Sequence, residues 1–141
     1  MKHIKGFYLP EMAFDNEVAK LIRKFGFDWL ILDPINFKGN LEKDILYIDK
    51  KTGLKIVFRD RKISKAYPAE VIFKNISNLK GDETIITATD GEIYGHFHTD
   101  WQGHLESVLQ NKNLEIKTVS QYIKDLKNKK IYYRTYEDLT L

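Results

Sequence analysis

Apolar residues along this chain fall into short runs divided by turn residues, and the spacing within each run separates strands from helices. Ile4, Gly6, Phe7, Tyr8 and Leu9 predict a strand over residues 4–9. Pro10 ends it, because proline has no N–H to give to a sheet ladder. Val18, Leu21, Ile22 and Phe25 then recur at helical spacing. They predict a helix capped by Asp15 or Asn16 and stopped at Gly26, where a left-handed residue is wanted. The run FDWLILDP, residues 27–34, is almost wholly apolar and of strand length. It suits a strand buried on both faces, as in a parallel sheet covered by helices.

The segment DILYIDKKTGLKIVFRD, residues 44–60, reads as two strands joined by a turn at Lys50–Gly53, a hairpin inserted between the repeating units. RKISKAYPAEVIFKNISNL, residues 61–79, is helical in two pieces broken at Pro68. ETIITATD is rich in β-branched residues and predicts a strand that ends at Asp90. Residues 100–111 then read as a helix, LEIKTV (114–119) as a strand, and VSQYIKDLKN (119–128) as a helix with Ser120 as its cap. This alternation predicts an α/β fold with mainly parallel strands, either layered or closed into a barrel.

At 141 residues the chain is long enough to bury a core and reads as one domain over residues 1–141. Hydrophobic residues make up 43% and charged residues 30%, an ordinary globular balance, and the net charge of +3 announces neither nucleic acid nor a membrane as partner. The basic stretch KDLKNKK (124–130) reads as a solvated helix end, where lysines suit the negative end of the dipole. There is no cysteine, which excludes disulfides, thiolate metal sites and a cysteine nucleophile, and which fits a cytoplasmic location. Nor is there a run of about 18 apolar residues to cross a bilayer.

Two carboxylates follow strand ends, where parallel α/β folds gather their ligand sites. Glu11 comes directly after Pro10, and Asp90 opens the segment TATDGEIYGHFHTDW, residues 87–101. That segment sets three acids, two histidines and two glycines just after a predicted strand, a composition suited to surrounding a ligand. Read as packing alone, Glu11 is a carboxylate complementing a helix dipole, and the segment is a glycine turn with locally satisfied histidines. Read as chemistry, it offers two uses. Asp90, His96 and His98 form one set with metal-ligand types. Glu11 and Asp90 form a carboxylate pair in which one member stays ionised as nucleophile and the other donates and recovers a proton. Arg59, Asp60, Arg61 and Ser64 follow another strand, either as an ion-pair cluster capping a helix or as groups that orient the site. His3 adds little, and His104 falls inside a predicted helix with a surface or core role.

The stretch GFYLPEMAF resembles the region of glycoside hydrolase family 57 in which an aromatic, a leucine, a proline or small residue and a glutamate end a barrel strand. The match implies that Glu11 is the nucleophile. ATDGEIYGHFH resembles the family's later region and implies Asp90 as general acid/base, with Glu92, Gly95 and His96 at the accompanying positions. LKIVFRDRKIS and LEIKTVSQYIKDL are similar to the intervening and following segments. The resemblance implies a partial or shortened (β/α)7-barrel-like fold, retaining cleavage or transfer of α-linked glucans, and no metal or other cofactor.

The expected substrate contacts are Glu92, His96, His98, Trp101 and Arg59, with Tyr94, Phe97 and Trp101 either offering faces for sugar rings or packing in the core. The expected partner is an oligo- or polysaccharide. The sequence departs from the family in two ways. GHFH replaces a glycine-histidine-tryptophan-tryptophan, and neither the earlier strands with their His-Gln-Pro region nor the downstream helical region has a counterpart. Either an N-terminal half belongs ahead of these residues in a longer polypeptide, or a shortened relative completes its sheet by pairing with another copy as a homo-oligomer. Two other functions stay open: a metal-dependent polysaccharide deacetylase using Asp90, His96 and His98, and a non-catalytic carbohydrate-binding or assembly module.

Overall fold

A computed structural model describes residues 4–42, 44–78, 84–100, 102–128 and 133–136. They fall in two compact units, one spanning Met1–Arg59 with Lys117–Leu141 and the other Asp60–Ile116.

The first unit is built on a five-stranded sheet of β1 (Gly6–Tyr8), β2 (Trp29–Leu32), β3 (Leu46–Asp49), β4 (Lys55–Phe58) and β5 (Tyr133–Tyr136), in the order β1-β2-β4-β3-β5. β1, β2 and β4 run parallel, with Tyr8 beside Ile31 and Leu32 beside Phe58. The predicted hairpin forms, with β3 antiparallel to β4, and its second strand completes the parallel trio. Asp49, buried, accepts from Thr52 N at 2.9 Å, and Gly53 at φ 71° closes the turn. β5, which the sequence pattern does not reveal, pairs parallel with β3.

β2 is buried on both faces, as its apolar run predicts. Leu30 and Leu32 are inaccessible and Ile31 nearly so. Leu30 and Leu32 join Leu9, Phe14, Ala19, Ile22, Leu54 and Ile56 in one core, each large side chain contributing about 1.5–3 kcal/mol by leaving water. Phe37 meets Tyr47 and Phe58 edge-on, with centroids 5.2 and 5.3 Å away. Helix α1 (Asn16–Lys24) starts where the Asp15 carboxylate accepts from Val18 N at 2.7 Å, and Gly26 follows its end at φ 85°. Its inward face is Ala19 and Ile22, with Val18 packed alongside. Leu21 and Phe25, one turn apart, point to solvent at 53% and 73% exposure.

Gly6 is required by a close approach. A Cβ there would lie 2.1 Å from Cζ2 of Trp29, its register partner. The indole is held in turn, its Nε1 donating to Ser120 Oγ at 3.0 Å on helix α5 (Val119–Asn128). Ser120 therefore ties this helix to the sheet, and Thr118 serves at its start, Oγ1 accepting from Gln121 N. Gly6→Ala is expected to destabilise the chain by about 1–3 kcal/mol, the usual cost of forcing bulk into a packed site. Urea unfolding measures it.

The second unit contains α2 (Arg61–Ser64), α3 (Pro68–Asn75) and α4 (His104–Leu109). Asp60 caps α2 by accepting from Ile63 N at 2.8 Å. The break at Pro68 lies where the sequence predicts it. Residues 84–90 differ from expectation, being irregular backbone and not a strand. They are held instead by Asp60 N donating to Ile86 O at 2.6 Å and Ala88 N donating to Ser64 Oγ at 3.2 Å. β-branched residues favour a strand only where a neighbouring ladder receives them. Residues 114–118 likewise join no sheet. Among the described residues no helix is long and apolar enough to cross a membrane.

Candidate active site

Because β1, β2 and β4 are parallel, their carboxyl ends share one edge of the sheet, and the residues that follow them are Leu9-Pro10-Glu11, Asp33 and Arg59. After β1 the chain makes a 3₁₀ turn over Pro10–Met12, with Met12 N donating to Leu9 O at 3.0 Å. Leu9, Met12 and Phe14 are buried and Pro10, Glu11 and Ala13 exposed. Presenting Glu11 outward between buried neighbours takes an unusual backbone. Both Glu11 and Met12 sit at φ 52°, in the left-handed region that non-glycine residues rarely occupy. Such a conformation costs on the order of 1–3 kcal/mol per residue and persists only where surrounding packing enforces it.

Asp33 and Arg59 extend the β2 and β4 ends by one residue and form a buried ion pair. Arg59 donates Nε and Nη2 to Asp33 Oδ2 at 2.9 and 2.7 Å, with side-chain exposures of 15% and 5% for Arg59 and Asp33. Asp33 Oδ1 also accepts from Ile35 N at 3.1 Å. Arg59, expected from the sequence as a substrate contact, is thus also a structural cation linking two strand ends. Nearby in sequence, the fully buried side-chain amide of Asn36 has no hydrogen-bond partner among the described residues.

Asp90 belongs to the second unit. It is exposed, precedes the 3₁₀ turn Gly91–Ile93, and makes no side-chain cap. From there the backbone folds on itself. Tyr94 N donates to Gly91 O, His96 N and Phe97 N to Glu92 O, His98 N to Ile93 O, and Gly95 N to His98 O at 2.8 Å. Gly95, at φ 97°, permits the tightest bend. Glu92, His96 and His98 are all exposed on this loop. His96 and His98 therefore sit in a turn and do not share a strand face. Among the described residues no group of three His, Cys, Asp or Glu is arranged to hold a metal. Trp101 and His3 lie outside the described residues.

Behind the loop stands Tyr67, which the sequence does not single out. Its ring stacks on His98 at 4.9 Å and 9°, and meets Tyr94 at 5.0 Å. Burial, and then the nearby Asp100 carboxylate, push its hydroxyl up to about 12. That hydroxyl lies within electrostatic reach of Asp100 yet makes no hydrogen bond of good geometry. Asp100 is the anchor of α4, accepting from Leu105 N at 2.8 Å and His104 N at 2.9 Å. His104, the first residue of α4, is buried against Phe73 with centroids 4.8 Å apart.

The backbone N–H of Leu105, ahead of that of His104, holds the Asp100 carboxyl below its ordinary value despite the opposing effect of burial. A carboxyl lowered on folding adds stability above its unfolded value of about 3.9, and that stability is lost as pH falls through the folded value. Asp100→Asn is expected to lower stability at pH 7 and to flatten the acid loss below about pH 4. Chemical unfolding from pH 7 to pH 2.5, read at about half-unit steps, checks both.

The sequence model of Glycosyl hydrolase family 57 matches residues 2–135, nearly the whole chain. The chain belongs to Glycosyl hydrolase family 57. A solved relative in fold is the 4-alpha-glucanotransferase from Thermococcus litoralis, with a TM-score of 0.65 and 20% identity over 85% of this chain. This chain spans 22% of that protein's length. No curated protein matches. Family and fold together support reading the mostly parallel sheet as part of a barrel of this family.

Proposed function

We propose that the chain carries the catalytic carboxylates of a retaining α-glucan hydrolase or glucan transferase, with Glu11 as nucleophile and Asp90 as acid/base. The observation that carries the reading is the Glu11 turn. In a chain of this family, an exposed glutamate is held with left-handed backbone at the carboxyl end of a parallel strand. Strain kept at one carboxylate by packing on both sides marks a position where geometry matters to function.

In the first step a Glu11 carboxylate oxygen bonds to the anomeric carbon as the glycosidic C–O bond breaks, and the proton of Asp90 passes to the departing oxygen. In the second, water or a sugar hydroxyl attacks that carbon, Asp90 takes its proton, and the bond to Glu11 breaks. Each step inverts the anomeric centre, so the product keeps the configuration of the substrate. Glu92, His96, His98 and Trp101 contact the sugar, and Arg59 shapes the strand ends beside the Glu11 turn. A cytoplasmic setting accords with a glucan substrate and a cysteine-free chain.

The test follows a maltooligosaccharide by proton NMR and asks which anomer appears first. The α-anomer is expected. Initial β-anomer overturns the double displacement, and binding without turnover favours the non-catalytic module.

A further inference from the structure

We propose that Tyr67 is a positioning residue that fixes the orientation of the Asp90–His98 loop, with Ser64 holding the segment that leads into it. The inference rests on the assignment of Asp90 as acid/base. Backbone hydrogen bonds link Ile93 to Asp90, Tyr94 to Gly91, His96 and Phe97 to Glu92, and Gly95 to His98. The loop is therefore cross-linked along its length. Among the described residues, two attachments to the helices of its own unit are particular. Ser64 Oγ, at the end of α2, accepts from Ala88 N two residues before Asp90. Tyr67, three residues further on, packs its ring against Tyr94 and stacks it on His98.

Tyr67 is 4% exposed and Ser64 3%, whereas Asp90, Glu92, His96 and His98 stand in solvent. A buried ring packed behind an exposed set of polar groups helps to set where those groups point, since its own position is locked by packing. The ring makes these contacts, and the hydroxyl lies within electrostatic reach of Asp100. A displaced general acid loses rate out of proportion to the displacement, because proton donation demands hydrogen-bond distance to the leaving oxygen.

The experiment compares the full chain with Tyr67→Phe, Tyr67→Met and Ser64→Ala, reading the His98 imidazole proton resonances and the kinetics on a maltooligosaccharide. Tyr67→Phe keeps the ring and is expected to leave resonances, kcat and thermal midpoint as in the parent. Tyr67→Met fills similar volume without a ring. His98 is expected to lose its ring-current shift, and kcat to fall by up to about 100-fold while KM holds. A lower thermal midpoint in Tyr67→Met with the His98 resonances and kcat unmoved overturns the proposal, leaving Tyr67 as packing only. If Tyr67→Met does not fold, Ser64→Ala decides, a lowered kcat at unchanged KM supporting the proposal and an unchanged kcat overturning it. If the parent chain turns over no glucan, the function assignment fails. The resonances still judge the clamp: shifts lost in Tyr67→Met, or across residues 91–98 in Ser64→Ala, support it, and shifts retained overturn it.

Discussion

Glu11→Gln is expected to reduce turnover of an α-glucan by at least about 10³-fold, with KM little changed, because the amide oxygen is a far poorer nucleophile toward the anomeric carbon. The substitution is nearly isosteric and the side chain is exposed, so the fold should not respond. The left-handed backbone at Glu11 and Met12 is enforced by the burial of Leu9, Met12 and Phe14, none of which changes. Asp90→Asn is expected to cost a comparable factor on substrates with poor leaving groups and much less on activated ones, since only the former need the proton. The double variant should be little worse than either single one, because the two groups act as one machine. Initial rates on a maltooligosaccharide and on an activated aryl glucoside distinguish these roles. Loss of activity equal to a simple product of the two single effects would speak against a shared double displacement.

The second large effect falls on stability. Arg59→Ala is expected to destabilise the chain by about 3–5 kcal/mol, the cost of leaving a buried carboxylate without its partner. Asp33 has 5% of its side chain exposed and takes both Nε and Nη2 of Arg59 on one oxygen. Arg59→Lys should recover only part of the loss, because an ammonium cannot supply the two-pronged contact of the guanidinium. Guanidinium chloride unfolding of the two variants measures the difference. If Arg59 acted on substrate alone, both would unfold at the parent's midpoint and only KM would rise.

The contrast between Glu11 and Tyr67 shows what the chain makes legible. Glu11 could be read from residues 6–15 because strand, proline and carboxylate are consecutive, and local order alone puts the glutamate at a strand end. α1 was legible for the same reason, although the spacing that revealed the helix did not say which face turns inward. Ala19 and Ile22 do, while Leu21 and Phe25 face water. Residues 84–90 misled because β-branched composition reports suitability for a sheet and says nothing of whether a neighbouring strand exists. β5 was missed for the complementary reason, its pairing with β3 joining residues some 87 positions apart in the chain, Leu46 and Tyr133. Asp33 carried a usable signal, a carboxylate and proline directly after an apolar strand as at Glu11. Arg59 gave no sign of its pairing, since the two lie 26 residues apart. Tyr67 gave only its place before Pro68, and its ring contacts with Tyr94 and His98 exist only once the loop has folded.

The central claim is that Glu11 forms a covalent bond to the sugar. A fluorinated glucosyl fluoride, which forms the glycosyl–enzyme readily and releases it slowly, allows that bond to be seen by mass spectrometry of the intact chain and its peptides. The account predicts a single added fluoroglucosyl mass, mapped to the peptide that contains Glu11 and absent from Glu11→Gln. An adduct on another residue, or none from a preparation that turns over glucan, would contradict it.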